Sequence, residues 1–389
     1  MDIKTFTEML KYKYCYDFLR LKYKYGENCF TEYITVLKND FYKSLSICNF
    51  NGDALVILPS KVQITAQNAK VLMRNFESEK YSISAMEDEI ISTLSIEKIE
   101  STRDSVRNIL NGGAPKNENE NNAYGIKRGL DFIADTSNKI TEENLYRLYM
   151  LSVGEFLDKN DKLLPDYKYR HDAVYVVGDE ITHEGLNHKL LPEYVSGLIE
   201  FINTEDEFDH IIKSIVSHYY LAYLHPYFDG NGRMARLLHM WILVQKGYTA
   251  SLFLPFSFYI NYSKSKYYGA FEQISQNYKV SKILDITPFI DYFISNVLMK
   301  LNVTHNDDSI LTEFNKLISK GEITEKEKDL FYFVLSYYGA KTFSTKQLEK
   351  DYRDVAYATV RTFVLKLESK GLLVSHKYGN RVKYRITVQ

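Results

Sequence analysis

His225-Pro226-Tyr227-Phe228-Asp229-Gly230-Asn231-Gly232-Arg233-Met234-Ala235-Arg236 packs an imidazole, a carboxylate, a glycine-rich turn and two guanidiniums into twelve residues. Before it, Phe208, Ile211, Ile212, Ile215, Val216, Tyr219 and Tyr220 recur at the spacing of a helix's apolar face. After it, Met234, Leu237, Leu238, Trp241 and Ile242 repeat the pattern, and Gly247 supplies a stop. The stretch predicts a turn between two buried helices that ends at a helix N-terminus.

That placement sets its chemistry. Gly230 and Gly232 let a ligand approach the main chain, and successive N–H groups there make an anion-binding concavity. The following helix adds donors and a positive dipole end suited to phosphate. Arg233 and Arg236 stand one turn apart at that terminus, where guanidinium–phosphate contacts are strong. Asp229 is a hard oxygen ligand suited to a Mg2+ ion shared with phosphates. His225 can take a proton from an incoming hydroxyl near neutral pH. Together these point to phosphoryl or nucleotidyl transfer.

The stretch resembles the signature of the Fic (filamentation induced by cAMP) family, His-x-Phe-x-Asp/Glu-Gly-Asn-Gly-Arg-x-x-Arg. Every specified position matches except the Phe, replaced by Tyr227 at an apolar anchor. Family members mostly transfer AMP from ATP to a protein Tyr, Ser or Thr hydroxyl. The resemblance implies His225 as general base and Asp229 as metal ligand. It places Gly230, Asn231, Gly232 and Arg233 around the phosphates and Arg236 on the outermost one. Within the same class, the donor could instead be UTP or CDP-choline, the group moved phosphate, or the reaction removal of AMP. The full motif favours a nucleoside triphosphate.

Upstream, a helix is expected from about 82 to 108, with Ile83, Met86, Ile90 and Leu94 as its apolar stripe. Glu97 falls on that stripe, and a buried carboxylate needs a cation, for which Arg236 is the candidate. Many family members carry an inhibitory helix with Ser/Thr-x-x-x-Glu-Gly/Asn. Thr93-Leu94-Ser95-Ile96-Glu97 resembles it, with Lys98 where Gly or Asn is usual. The resemblance makes Glu97 a regulatory residue that occupies the guanidinium meant for the γ-phosphate.

The remaining chain sorts into three regions: residues 1–110, helical with the inhibitory helix; 111–305, the Fic core; and 310–389. Residues 111–122 read as a loop, followed by a helix to about Ala134 and a second, capped by Thr141, to about Leu157. Arg170 to Val177 reads as a strand or hairpin arm. In the family a flap at this place holds the target polypeptide by main-chain pairing, which puts a target protein near Val174–Val176. Tyr267-Tyr268 resembles a family Tyr-Tyr pair whose second member lines the nucleoside pocket, so Tyr268 is implied as an adenosine contact. Ser275 stands where some members use Asn.

Residues 310–389 show three helical stretches, then two strands flanking Gly379-Asn380, a pattern resembling a winged helix-turn-helix. From Ser344 to Gln389, ten Lys/Arg stand against four Asp/Glu, an excess of six. That is an adequate footprint for DNA backbone, while winged domains also serve as protein-docking or dimer modules. A second reading of the whole chain is therefore a DNA-binding regulator whose Fic core senses nucleotide without turnover.

The fold class expected is mainly α: a Fic-like helical core with a small β-hairpin flap, then a winged helix-turn-helix domain. Composition is that of a soluble globular chain, 45% hydrophobic and 25% charged, with a net charge of −1. No apolar run resembles a signal peptide or a membrane span. Cys15, Cys29 and Cys48 lack metal-ligand spacing, and reduced thiols fit a cytoplasmic location. A homo-oligomer is a candidate assembly.

Overall fold

The computed structural model describes residues 1–389 except 74–78, 160, 178–180, 305–307, 335–337, 339–341, 353–354, 379–380 and 388–389. The chain opens with α1 (Ile3–Lys11), α2 (Phe18–Tyr25) and α3 (Glu27–Val36). An antiparallel hairpin of β1 (Lys43–Cys48) and β2 (Ala54–Ile57) follows. The extended piece expected at Leu55–Leu58 is β2, and Pro59 begins a short 3-10 turn two residues after β2 ends. A one-turn helix, α4 (Ala66–Ala69), leads into α5 (Glu79–Ile96) and α6 (Arg103–Leu110).

The helix expected from 82 to 108 is thus two helices. Its break is a Schellman motif: Ile99 N–H donates to Leu94 O (3.0 Å), and Lys98 N–H donates to Ser95 O (3.1 Å). Lys98 takes the left-handed conformation this ending requires, at φ 61°. Thr102 and Ser105 then start α6 with a reciprocal capping box. Met86, Ile90 and Leu94 face inward as expected, while the side chain of Ile83 lies outside the described residues.

The central helices are α7 (Glu118–Ala134), α8 (Glu142–Ser152), α9 (Leu191–Asn203), α10 (His210–Leu224) and α11 (Asn231–Gln245). After them come α12 (Phe256–Tyr262), α13 (Lys264–Ser281), α14 (Thr287–Phe293) and α15 (Met299–Thr304). Between α8 and α9 a short hairpin, β3 (Tyr175–Val177) and β4 (Ile181–Glu184), stands where the flap was expected. Two boundaries differ from expectation. Asn117 caps α7 by accepting from Glu120 N–H, so the helix begins inside the expected loop. Helix α8 stops at Ser152, with a single 3-10 turn after it. One continuous core runs from Leu45 to Leu301, with α10 and α11 buried at its centre.

The last region contains α16 (Asp308–Ser319), α17 (Glu325–Phe333), α18 (Thr345–Tyr352), α19 (Tyr357–Ser369), β5 (Leu373–Tyr378) and β6 (Arg381–Ile386). It has its own apolar core, from Phe314 to Ile386. Phe343 exchanges two backbone hydrogen bonds with Tyr384 (2.8 and 2.7 Å), adding a third extended segment to the hairpin. Helices followed by this small sheet form a winged helix-turn-helix. The expected Gly379-Asn380 turn lies outside the described residues. Among the described residues no helix is long and apolar enough to cross a membrane.

Candidate active site

Helix α10 ends on His225, whose own backbone is left-handed (φ 54°, ψ 58°). For a residue with a Cβ this conformation is strained and is found at sites where the surroundings impose it. The turn directs the ring so that Nδ1 lies 3.2 Å from the Ala222 carbonyl. A carbonyl can only accept, so Nδ1 carries the proton and Nε2 the lone pair.

Beyond it, Tyr227 fills the anchor position. It is fully buried and stacks on Tyr149 with ring centroids 3.7 Å apart and planes 4° from parallel. Asn231 clamps the turn: Oδ1 accepts from Tyr227 N–H (2.9 Å) and Nδ2 donates to Tyr227 O (2.8 Å). The side chain of Asn231 therefore faces inward, and what the residue presents to the cleft is backbone. Gly230 precedes α11 at φ 84°, with Val153 packed where a side chain would project.

The first turn of α11 forms the cradle. Arg233 is buried; Nη1 donates to Asn122 Oδ1 (2.7 Å) and Nη2 to Asp229 Oδ2 (2.6 Å). Its buried Nε has no partner among the described residues, a donor suited to an anionic ligand. Asp229 is half-exposed, with Oδ1 accepting from Gly230 N–H at 2.6 Å. One carboxylate beside a phosphate nest is the way Mg2+ is usually held, through the substrate's phosphates as well as the protein. Among the described residues no three metal-ligating side chains cluster.

Arg236 is buried, with its Nε and Nη2 engaged. Nε donates to Thr93 Oγ1 (2.6 Å), while Nη2 donates to Thr93 O (3.2 Å) and to Glu97 Oε1 (2.5 Å). Burial alone would lower the pKa of Arg236, but Glu97 and nearby tyrosines hold it above the ordinary value. Gly232 makes this fit possible, since a Cβ there would collide with Glu97 Oε1. Glu97, part-buried just beyond the end of α5, thus has the cation expected of it.

Helix α5 is gripped from several sides. Lys264 Nζ donates to Ile96 O (2.6 Å), satisfying a carbonyl at the helix's negative end. Glu87, fully buried, meets Arg107 Nε at 2.5 Å and Arg103 Nη1 at 3.1 Å. Glu89 accepts from both the backbone and the hydroxyl of Ser257, and burial pushes its pKa up.

Tyr268 is half-exposed on α13, close enough to Glu97 and Arg236 for both to act on its hydroxyl. Tyr267 is buried instead, with its hydroxyl 3.0 Å from His218 Nε2. Ser275 is half-buried two turns further along α13. In the flap, Tyr175 pairs with Glu184 and Val176 with His183. Val174 is half-buried, and the side chain of Val176 lies outside the described residues. Four residues around the site were not anticipated: Asn122, Arg170, Lys264 and Ser257. Each acts through a hydrogen bond to a distant segment, and no local pattern announces such a bond.

Residues 139–243 match the Fic/DOC family, and residues 342–389 match the penicillinase repressor family. The chain is 27% identical over 154 residues to the protein adenylyltransferase fic-1 of Caenorhabditis briggsae, covering 36% of this chain and 26% of that protein. A probable protein adenylyltransferase of Aquifex aeolicus (strain VF5) is also 27% identical over 154 residues, covering 39% and 43%. The protein adenylyltransferase Fic of Drosophila persimilis is 21% identical over 296 residues, covering 69% and 54%. The chain thus spans between about a quarter and just over half the length of these relatives. The crystal structure of a Fic family protein from Desulfovibrio desulfuricans G20 shares the fold, with a TM-score of 0.53 at 18% identity over 85% of this chain and 97% of that one.

Proposed function

We propose that this chain, which carries a Fic/DOC-family domain over residues 139–243, transfers AMP from ATP to a Tyr, Ser or Thr hydroxyl of a protein. The observation that carries this reading is the placement, on one turn, of an imidazole with its Nδ1 committed to a carbonyl and a buried guanidinium whose Nε has no partner among the described residues. The first can accept a proton and the second can hold phosphate.

In the reaction, a target hydroxyl enters along the flap and His225 Nε2 takes its proton. The oxygen forms a bond to the α-phosphorus of ATP, the bond from that phosphorus to the β-bridging oxygen breaks, and pyrophosphate leaves. The N–H groups at the start of α11 and Arg233 offset the charge that develops on the phosphates. Mg2+, held by Asp229 and the substrate, would neutralise phosphate charge. Tyr268 lies against the nucleoside. Arg236 holds the γ-phosphate once Glu97 leaves it, so Glu97 is a built-in inhibitor. The test offers the Glu97→Gly protein ATP, UTP or CDP-choline and reads the mass added to intact acceptor proteins. Addition of AMP, lost in Glu97→Gly/His225→Ala, supports the reading. Addition from another donor, or from none, overturns it.

A second reading concerns the winged region and rests on its match to penicillinase repressors. Tyr357, Ala358, Arg361 and Thr362 are exposed on α19, and Lys377 and Arg385 on the wing, as a duplex-binding surface requires. The charge count needs adjusting, because Lys366 pairs with Glu327 (2.8 Å) and Lys370 with Glu322, both outside the stretch counted. Salt-dependent duplex binding weakened by Arg361→Ala would support this reading. Binding unchanged in that variant would contradict it.

A further inference from the structure

Arg170 is buried at the base of the flap, 1% exposed. Its guanidinium spends its hydrogen bonds on main-chain carbonyls: Nε on His225 O (2.8 Å), Nη1 on Asp172 O (2.6 Å) and Nη2 on Leu186 O. Its own amide donates to Pro226 O at 2.9 Å. Asp172 lies ahead of β3 and Leu186 just beyond β4. One planar fork therefore ties both ends of the flap to the left-handed residue that carries the imidazole.

The packing is built around this contact. A Cβ at Gly185 would stand 2.7 Å from Arg170 Nη2, 2.7 Å from Val174 Cγ1 and 3.3 Å from His225 Cβ. Gly185 N–H closes the hairpin base onto Val174 O (3.0 Å), and Leu186 N–H joins it to Leu224 O at the end of α10 (3.2 Å). Burying a cation against dipoles is expensive, and an apolar side chain of similar volume would usually serve stability as well. A fork of five donors in one plane offers what an apolar residue lacks, a fixed distance between three separate chain segments.

We propose that Arg170 is a positioning residue that sets the distance between the flap and His225, so that a hydroxyl carried along the flap arrives within reach of Nε2. This rests on the proposed transfer reaction, in which flap and imidazole act on one acceptor. Misplacement by about 1 Å at such a site lowers rates by about a hundredfold.

The test uses Arg170→Met, Arg170→Lys and Gly185→Ala, each in the Glu97→Gly protein. Hydrogen exchange is followed in peptides covering residues 170–186 and 222–228, alongside ATP affinity and acceptor kinetics. The expected result is exchange at least about tenfold faster in those peptides alone, with ATP affinity within about twofold of the parent. The transfer rate falls about ten- to a hundredfold, and Arg170→Lys keeps part of it. Unchanged exchange in all three variants overturns the proposal. So does faster exchange throughout the helical core with ATP binding lost, which marks Arg170 as ordinary core. If the Glu97→Gly parent modifies no acceptor, the transfer reading fails. The exchange data still decide whether Arg170 ties the flap to His225.

Discussion

Arg236 Nη2 lies 2.5 Å from Glu97 Oε1, directly over Gly232, where the absent Cβ leaves room for that carboxylate. The same space is part of the proposed phosphate cradle. A Cβ at 232 would also stand 3.2 Å from Arg236 Nη1. Gly232→Ala should therefore expel Glu97 and narrow the cradle together. In the Glu97→Gly background it should weaken ATP binding at least about tenfold, about 1.4 kcal/mol, by calorimetry. Equal affinity would show that ligand does not approach the main chain there.

Lys98 marks a second relationship, between a helix ending and its residue type. It occupies the C′ position of the Schellman motif, where Gly or Asn is the usual choice. A side chain in the left-handed region costs about 1 kcal/mol. Lys98→Gly should raise stability by about that amount and lower basal transfer, because the Glu97 helix ends more firmly. Denaturant unfolding and labelling read the two effects. A Lys98→Gly protein no more stable than the parent would contradict the strain.

Tyr227 replaces the phenylalanine of the signature and brings a hydroxyl to a fully buried place where it has no partner among the described residues. An unpaired buried hydroxyl is costly. Tyr227→Phe should leave the stacked contact with Tyr149 intact and stabilise the protein by about 0.5–1 kcal/mol. A lowered melting temperature would mean that the hydroxyl is satisfied.

His218 and His239 lie fully buried with ring centroids 6.0 Å apart, among Phe256, Phe289 and Phe293. Desolvation lowers both pKa values, that of His239 to about 3. The unfolded chain takes up these protons near pH 6.5, and the folded chain does not. Stability should thus be full above pH 6.5 and fall as pH drops from there towards 3. The slope is at most about 1.4 kcal/mol per pH unit for each histidine. Urea unfolding at pH 7.5, 6.5 and 5.5 measures it, and His239→Met should flatten it. An identical slope in that variant would contradict the assignment.

The turn and its two helices were legible because apolar spacing and paired glycines are local signals. The Glu97–Arg236 contact was legible for a different reason: a carboxylate on an apolar stripe requires a cation, and the chain offered one nearby in function. The break at Lys98 was hidden, because lysine gives no sign of a left-handed position. Arg170 was hidden because its partners are backbone carbonyls, which any residue supplies. The partners of Lys366 and Lys370 escaped a count confined to residues 344–389, since Glu327 and Glu322 reach them from α17 and the loop before it.

The most direct measurement is self-labelling or acceptor labelling by ATP carrying a radioactive α-phosphate, with Mg2+. It compares the native chain, Glu97→Gly, and Glu97→Gly/His225→Ala. Strong labelling confined to Glu97→Gly is the predicted result, since that protein alone has both a free Arg236 and an intact base. Equal labelling of the native chain and Glu97→Gly would contradict Glu97 as the inhibitor, and labelling that survives His225→Ala would contradict His225 as the base.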